Sequence, residues 1–309
     1  MVEVAPWWSA LLLLVLLAAF AVVAASFDAV LAGRVAGRRV LSSAMEPLRS
    51  AAGLVVQQRR RLLAADVLLW RGAGVVLLVA AVLASMATPL GDWAVSDLPV
   101  GVVWFNAMEI VAWAAVWLAG WGPNSAFSMV GGYRFIAQGL AYELPHMFVL
   151  TTAAIGAGSL RIGDVVAAQQ DVWFVVWMPV AFVVYLVSVL AMAFFRPFDH
   201  ATGADIAGGA RAELSGVDRL VFAAGQWVLL VSGAAMAVPL FLGGGSGPLL
   251  PGWVWTLVKT AAVLGFLVWA GRRMPTIRME RFTEIAWLVL IPATLLQALF
   301  VSIVVIQEG

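Results

Sequence analysis

Eight runs of roughly 20 apolar residues, each long enough to cross about 30 Å of hydrocarbon, leave this chain few folds to choose from. They are read at 7–31, 67–88, 100–121, 138–158, 172–195, 219–242, 253–270 and 285–306. Backbone N–H and C=O groups in lipid must be satisfied within the segment, so the runs are predicted to be helices. The ten-residue alternation of an outer-membrane strand is absent. The expected fold class is all-α: a polytopic membrane protein of about eight transmembrane helices with polar cytoplasmic loops. Residues 1–309 are read as a single integral membrane domain. The chain is 63% hydrophobic and 11% charged, more apolar than a soluble core of 309 residues needs.

Basic residues then orient the bundle. Arg34, Arg38, Arg39, Arg49, Arg59, Arg60 and Arg61 lie between runs one and two, and Arg134 between three and four. Arg196, Arg211 and Arg219 lie between five and six, and Arg272, Arg273, Arg278 and Arg281 between seven and eight. These are 15 of the 18 Lys and Arg, and all fall in alternate connections. Positive charge is retained on the cytoplasmic face. The expected location is the inner (plasma) membrane, with basic loops cytoplasmic and both termini outside. The first run is too long for a signal-peptide core and has no basic flank, so it is read as a retained helix. Within the basic connection, 45–63 mixes apolar residues with Arg and Gln. It reads either as a helix along the membrane surface or as a solvated loop.

Chemistry is sparse. With no cysteine, the chain has no disulfide and no thiolate ligand for an iron–sulfur cluster. Two histidines do not suggest a multi-histidine metal site, and no metal is expected. Ionisable groups at membrane depth are costly and are functional candidates by default. Glu143 stands first, in GGYRFIAQGLAYELP (131–145) with Arg134, Gln138 and Tyr142. It reads equally well as a proton-relay carboxylate or as a structural partner of an arginine. Pro145 frees a backbone carbonyl one turn earlier. Glu109 lies inside run three with no local partner; a proton role, a pairing with Lys259, or a bundle contact all fit. Lys259, the only lysine, is expected to face the protein interior. The loop 196–216 offers Arg196, Asp199, His200, Asp205, Arg211 and Glu213, and one histidine without ligand spacing is a weak metal signal. Most of the 15 tryptophans are read as interface anchors.

Four stretches resemble a known family: LAGWGPNSAFSMVGGYRFIAQGLAYELP (118–145), RPFDHATGADIAGGARAELSG (196–216), LPGWVWTLVKT (250–260) and RMPTIRMERFTEIAWLVLIP (273–292). Weaker similarity runs through 66–70 and 83–93. Their order, spacing and eight-run topology are similar to the H-type (type 1) membrane-subunit family of respiratory complex I. The resemblance implies a non-redox membrane component of an NADH-quinone oxidoreductase. Components of this family help form the quinone chamber and couple electron transfer to proton translocation. The resemblance also implies quinone as substrate, no cofactor on this chain, iron–sulfur clusters in partner subunits, and contacts with membrane and peripheral subunits. By resemblance, Arg134, Gln138, Tyr142, Arg196 and Asp199 belong to the chamber, and Glu143, Asp205 and Glu213 to a proton relay; Glu109 and Lys259 are added to the relay as ionisable groups at membrane depth.

The chain departs from the family pattern in places. Ala201, Gly203 and Gln226 stand where glutamates are usual, which thins the expected carboxylate chain. Two alternatives follow. One is the homologous membrane subunit of an energy-converting nickel–iron hydrogenase or formate hydrogenlyase. The other, a stand-alone ion-coupled transporter built on Glu109, Glu143 and Lys259, gets no support from an internal repeat.

Overall fold

A computed structural model describes residues 3–308. Helices dominate them: α1 (Ser9–Val35), α2 (Val40–Ala44), α3 (Glu46–Val56), α4 (Val67–Ser85), α5 (Gly101–Trp121), α6 (Ala126–Ala157), α7 (Ile162–Ala167), α8 (Phe174–Trp177), α9 (Pro179–Met192), α10 (Gly216–Phe241), α11 (Gly252–Arg273), α12 (Met279–Ile285) and α13 (Ile291–Glu308). A π-helical stretch, Ala286–Leu290, joins the last two. Two-residue strands, Glu3–Val4 and Trp93–Ala94, pair in parallel and tie the start of the chain to the α4–α5 connection.

Among the described residues, six helical stretches are long and apolar enough to cross a membrane: α1, α4, α5, α10, α11 and Met279–Gln307. The other two expected runs take a different form. Run four is part of the 32-residue α6, which starts at Ala126, well before the expected 138. The glycines at 131 and 132 look like a turn in sequence, but they are contact residues in a helix. Gly120 on α5 meets Gly132 on α6 so closely that a Cβ there would sit 2.7 Å from the Gly132 Cα and 2.6 Å from the Ser128 carbonyl. Glycine in a helix interior costs about 1 kcal/mol relative to alanine; here that cost permits the two backbones to touch. Run five is interrupted at Met178, between α8 and α9. Pro179 opens α9, a position where its missing N–H leaves no hydrogen bond unmade.

α10 is the most enclosed of the six stretches and α1 the least. α4 packs between α5 and α10 with the small buried residues Ala73, Gly74, Ala80, Ala81 and Ala84, of which Gly74 meets Phe222 of α10, and small residues permit close packing without a hydrophobic drive between helices. Ser232 on α10 donates to the Ala81 carbonyl (3.0 Å), and its hydroxyl lies 2.5 Å from that of Ser85.

At the end away from the arginines, Gln169 knits three elements together. Its Nε2 donates to the carbonyls of Val165 (3.0 Å) and Pro239 (2.7 Å). Its Oε1 accepts from the N–H groups of Phe174 (3.2 Å) and Gly243 (3.0 Å). The side chain is fully buried. Gln169→Leu strands two buried amides, at about 1–3 kcal/mol each. A fall in detergent melting temperature is expected, with α8 becoming open to protease; an unchanged melting curve would show that the clamp is dispensable.

Candidate functional site

At the arginine-rich end, the loop after α9 folds into three short 3₁₀ turns, Asp199–Thr202, Ala204–Ile206 and Gly209–Arg211. It lies directly on α6. A Cβ on Gly131 would sit 2.5 Å from the Ala201 carbonyl and against the Ala210 amide, so only glycine lets the loop seat. Gly208 and Gly209 adopt positive φ (98° and 53°), a region open to glycine at little cost.

Arg134, expected in a connection, projects from α6 onto this loop. Its Nη1 donates to Asp205 Oδ2 at 2.7 Å and to the His200 carbonyl at 3.4 Å. The guanidinium holds the Asp205 carboxyl below the usual carboxylate range. The link is therefore present above that range and is released only when acid titrates Asp205 below its ordinary value. Arg196 pairs with Asp199 (3.4 Å), and His200 Nε2 contacts the Ile277 carbonyl. Burial pushes the Arg211 guanidinium down from its ordinary value, and its Nη2 donates to the Thr202 carbonyl at 3.3 Å.

The segment after α3 closes the same end. Arg60 pairs with Glu213 (2.5 Å) and its amide donates to the Ser215 hydroxyl (2.6 Å). Arg59 and Arg71 both approach Asp218 (3.7 and 3.4 Å). Ser125 donates to the other Glu213 oxygen at 2.9 Å. Asp205 and Glu213 are thus brought to arginines at the end of the bundle, apart from Glu143.

Inside the bundle a second group forms. Gln138 is fully buried, and its amide donates to the Ala191 carbonyl of α9 at 2.7 Å. Tyr142 is buried one turn further along. Glu143 is partly buried with Asn106 of α5 nearby, and Glu143 Oε1 and Asn106 Oδ1 are buried without hydrogen-bond partners. Glu109 faces His146 of α6, Oε2 to Nε2 at 2.9 Å, and both side chains are fully buried. The two approach without the alignment of a hydrogen bond, and each keeps unpaired polar atoms. Tyr185 of α9 lies over the imidazole, ring centroids 5.4 Å apart.

Sequence reasoning misses His146 and Asn106. The signal is present: Asn106/Glu109 and Glu143/His146 are each spaced i, i+3, so each pair shares one face of its helix.

Lys259 is elsewhere. Its Nζ donates to the carbonyls of Leu242 (2.6 Å), Gly244 (3.0 Å) and Ser246 (2.7 Å) and sits 4.1 Å from the face of Trp173. All three ammonium protons have acceptors in the α10–α11 turn. The pairing with Glu109, one of the readings open in the sequence, is not formed: Lys259 is held by three carbonyls and Glu109 faces His146. Glu109, Glu143 and Lys259 therefore do not make one ion site. Gln226, at a position read as a usual glutamate, donates to the carbonyls of Ala193 (3.2 Å) and Phe194 (3.1 Å). An ionised glutamate has no proton to give those carbonyls.

An apolar cleft lies on the α1 side of the bundle. About 660 Å³ of apolar space lies between α1, α3, α4 and α10, lined by Leu17, Leu48, Leu54, Val82 and Ala223. It continues, through shared walls at Ala25, Pro47 and Trp227, into about 390 Å³ bordered by Asp28, Arg38, Ser43, Glu46 and Arg272. Arg272 binds Asp28 through two 2.5 Å hydrogen bonds, fixing α11 to α1 at that polar end. The wall is completed by α3, a helix with no fully buried residue, so the basic connection is ordered there rather than an irregular loop.

The sequence profile of the NADH dehydrogenase family matches residues 8–302. Among the H-type subunits of NADH-quinone oxidoreductase, the second of Geobacter sulfurreducens is 35% identical over 82% of this chain and 81% of its own length. The first of Geobacter metallireducens is 33% identical over the same shares. The second of Rhodopseudomonas palustris is 36% identical over 71% of this chain and 70% of its own.

Proposed function

The chain belongs to the NADH dehydrogenase family, among the H-type subunits of NADH-quinone oxidoreductase, and on that premise we propose that it forms part of a quinone chamber and carries protons through the bundle. It is a multi-pass membrane subunit of an oxidoreductase complex. In this reading the chain holds no redox centre. Electrons arrive from iron–sulfur clusters in partner subunits docked on the arginine-rich end, which faces the cytoplasm of a cell whose inner membrane holds the complex. Both termini lie outside.

The cleft beside α1 carries the proposal. Its apolar length suits an isoprenoid tail, because a ligand site of several hundred Å³ with few polar groups at one end both buries and orients its occupant. The polar end, with Arg38 and Arg272, offers donors to a quinone carbonyl. Arg134, Gln138, Tyr142, Arg196 and Asp199 then belong to the chamber or its loop wall. Glu143 and Glu109 are the relay carboxylates within the bundle. Asp205 and Glu213, held by arginines, order the loop over the relay's mouth, and Lys259 closes the opposite end.

Filling the cleft tests this. Ala223→Trp is expected to raise KM for a long-tailed quinone about tenfold while electron input from NADH to a soluble acceptor is unchanged. An unaltered KM would remove the cleft from the quinone path. Nickel in the purified complex would instead favour the hydrogenase-type assembly.

A further inference from the structure

The α5–α6 interface holds more proton-carrying chemistry than Glu143 alone. Thirteen buried side-chain N and O atoms lack a hydrogen bond among the described residues, and six of them belong to four residues of this interface: Asn106, Glu109, Glu143 and His146. Buried polar atoms are nearly always paired, so this concentration marks one region of the interior as chemically unfinished. Glu109 and His146 are at its centre, wholly enclosed and 2.9 Å apart. Phe105, Tyr142 and Tyr185 pack around them, and Asn106 and Glu143 are the remaining polar neighbours.

Electrostatics restricts what such a pair can hold. With one proton beyond the single N–H of a neutral ring, Glu109 and His146 have zero net charge whether that proton sits on the carboxyl or on the ring. With none or two such protons, an uncompensated net charge is buried. The pair is therefore a site for one transferable proton. The imidazole has two nitrogens, and only one of them faces Glu109. A ring with one nitrogen 2.9 Å from a carboxyl and the other turned elsewhere can take a proton on one side and release a different one on the other.

We propose that His146 joins Glu143 to Glu109 in a proton relay that crosses from α6 to α5. A proton leaving the Glu143 carboxyl passes through a bridging water to the imidazole nitrogen turned away from Glu109. The Nε2–H bond breaks and its proton passes to the Glu109 carboxylate. Glu143 ends ionised and Glu109 neutral, with the ring neutral in its other tautomer, so charge is conserved across the three groups. Rotation of the ring, or transfer in reverse, resets it. The inference rests on the relay reading of Glu143 and extends it to a residue outside the family-derived site.

The competing account is a structural ion pair that merely holds two helices together. Variants of the intact complex in sealed inverted membrane vesicles separate the two. In His146→Gln and in Glu109→Gln, the protons moved per electron delivered to quinone are expected to fall by about two orders of magnitude, the scale of a lost acid–base group. Glu109→Gln leaves no uncompensated charge, so it serves if His146→Gln fails to assemble. The double variant E109Q/H146Q is expected to assemble as well as Glu109→Gln and to remain uncoupled, no worse than either single change, as for residues acting as a unit. Recovery of proton translocation in the double variant, or normal translocation in His146→Gln or Glu109→Gln, overturns the proposal. With Glu143→Gln run in parallel, the two failures separate. Normal coupling in Glu143→Gln removes the relay reading itself. Uncoupled Glu143→Gln beside a normally coupled His146→Gln removes only the role of His146.

Discussion

Glu143→Gln is expected to assemble into the complex and to lose coupled turnover by about two orders of magnitude or more, the usual scale for removing a proton-transfer group. Glutamine preserves the shape of the side chain beside Asn106, so the α5–α6 contact survives. What it removes is the exchangeable carboxyl proton. Proton translocation by inverted vesicles, set against the complex's subunit content, reads the two effects apart. Unchanged translocation would reduce Glu143 to a structural carboxylate, the reading that its sequence neighbourhood supports equally well. The structure favours the relay because Arg134, the arginine that would neutralise Glu143, is engaged with Asp205 instead.

Gly131→Val is expected to release the loop Asp199–Arg211 from α6. The obstructing atoms would be the Ala201 carbonyl and the Ala210 amide, and main-chain atoms cannot rotate aside as a side chain can. Overpacking of this kind costs about 1–3 kcal/mol, and here it falls on the surface that carries Arg134 and Asp205. Trypsin cleavage after Arg211 should become fast, and peripheral subunits should dissociate from the purified complex. Gly72→Ala is the control: nothing lies within 4 Å of a Cβ there, so the usual helix preference for alanine should leave the complex intact or slightly firmer. Equal protection of the loop in both variants would show that α6 does not hold it.

The limits of sequence reading show at individual residues. The starts of α5 and α10 lie within a few residues of expectation, since the apolar runs begin sharply there. The start of α6 does not, because Gly131 and Gly132 carry the same local preference whether they end a helix or press it against a neighbour. Arg134 reads as a connection residue for the same reason. Glu143 is legible from its depth and its surroundings. His146 is not, because a lone histidine in an apolar run has no local meaning until Glu109 stands opposite it. Lys259 turns inward as expected, but toward three carbonyls of a turn whose path no spacing rule describes.

The sequence alone determined that this chain is a helical membrane bundle: twenty-residue apolar runs in hydrocarbon have no other way to satisfy their backbones. Alternating arginines also marked the end at which the polar loops gather. Only the tertiary structure decided which ionisable groups meet. Contact between α5 and α6 depends on the rotation of each helix about its axis, and the Gly120–Gly132 crossing sets that rotation. About three helical turns from that contact, Glu109 meets His146 and not Lys259. The apolar cleft arises in the same way, from the loose seating of α1 against α3, α4 and α10, a relation between distant segments that no single segment encodes.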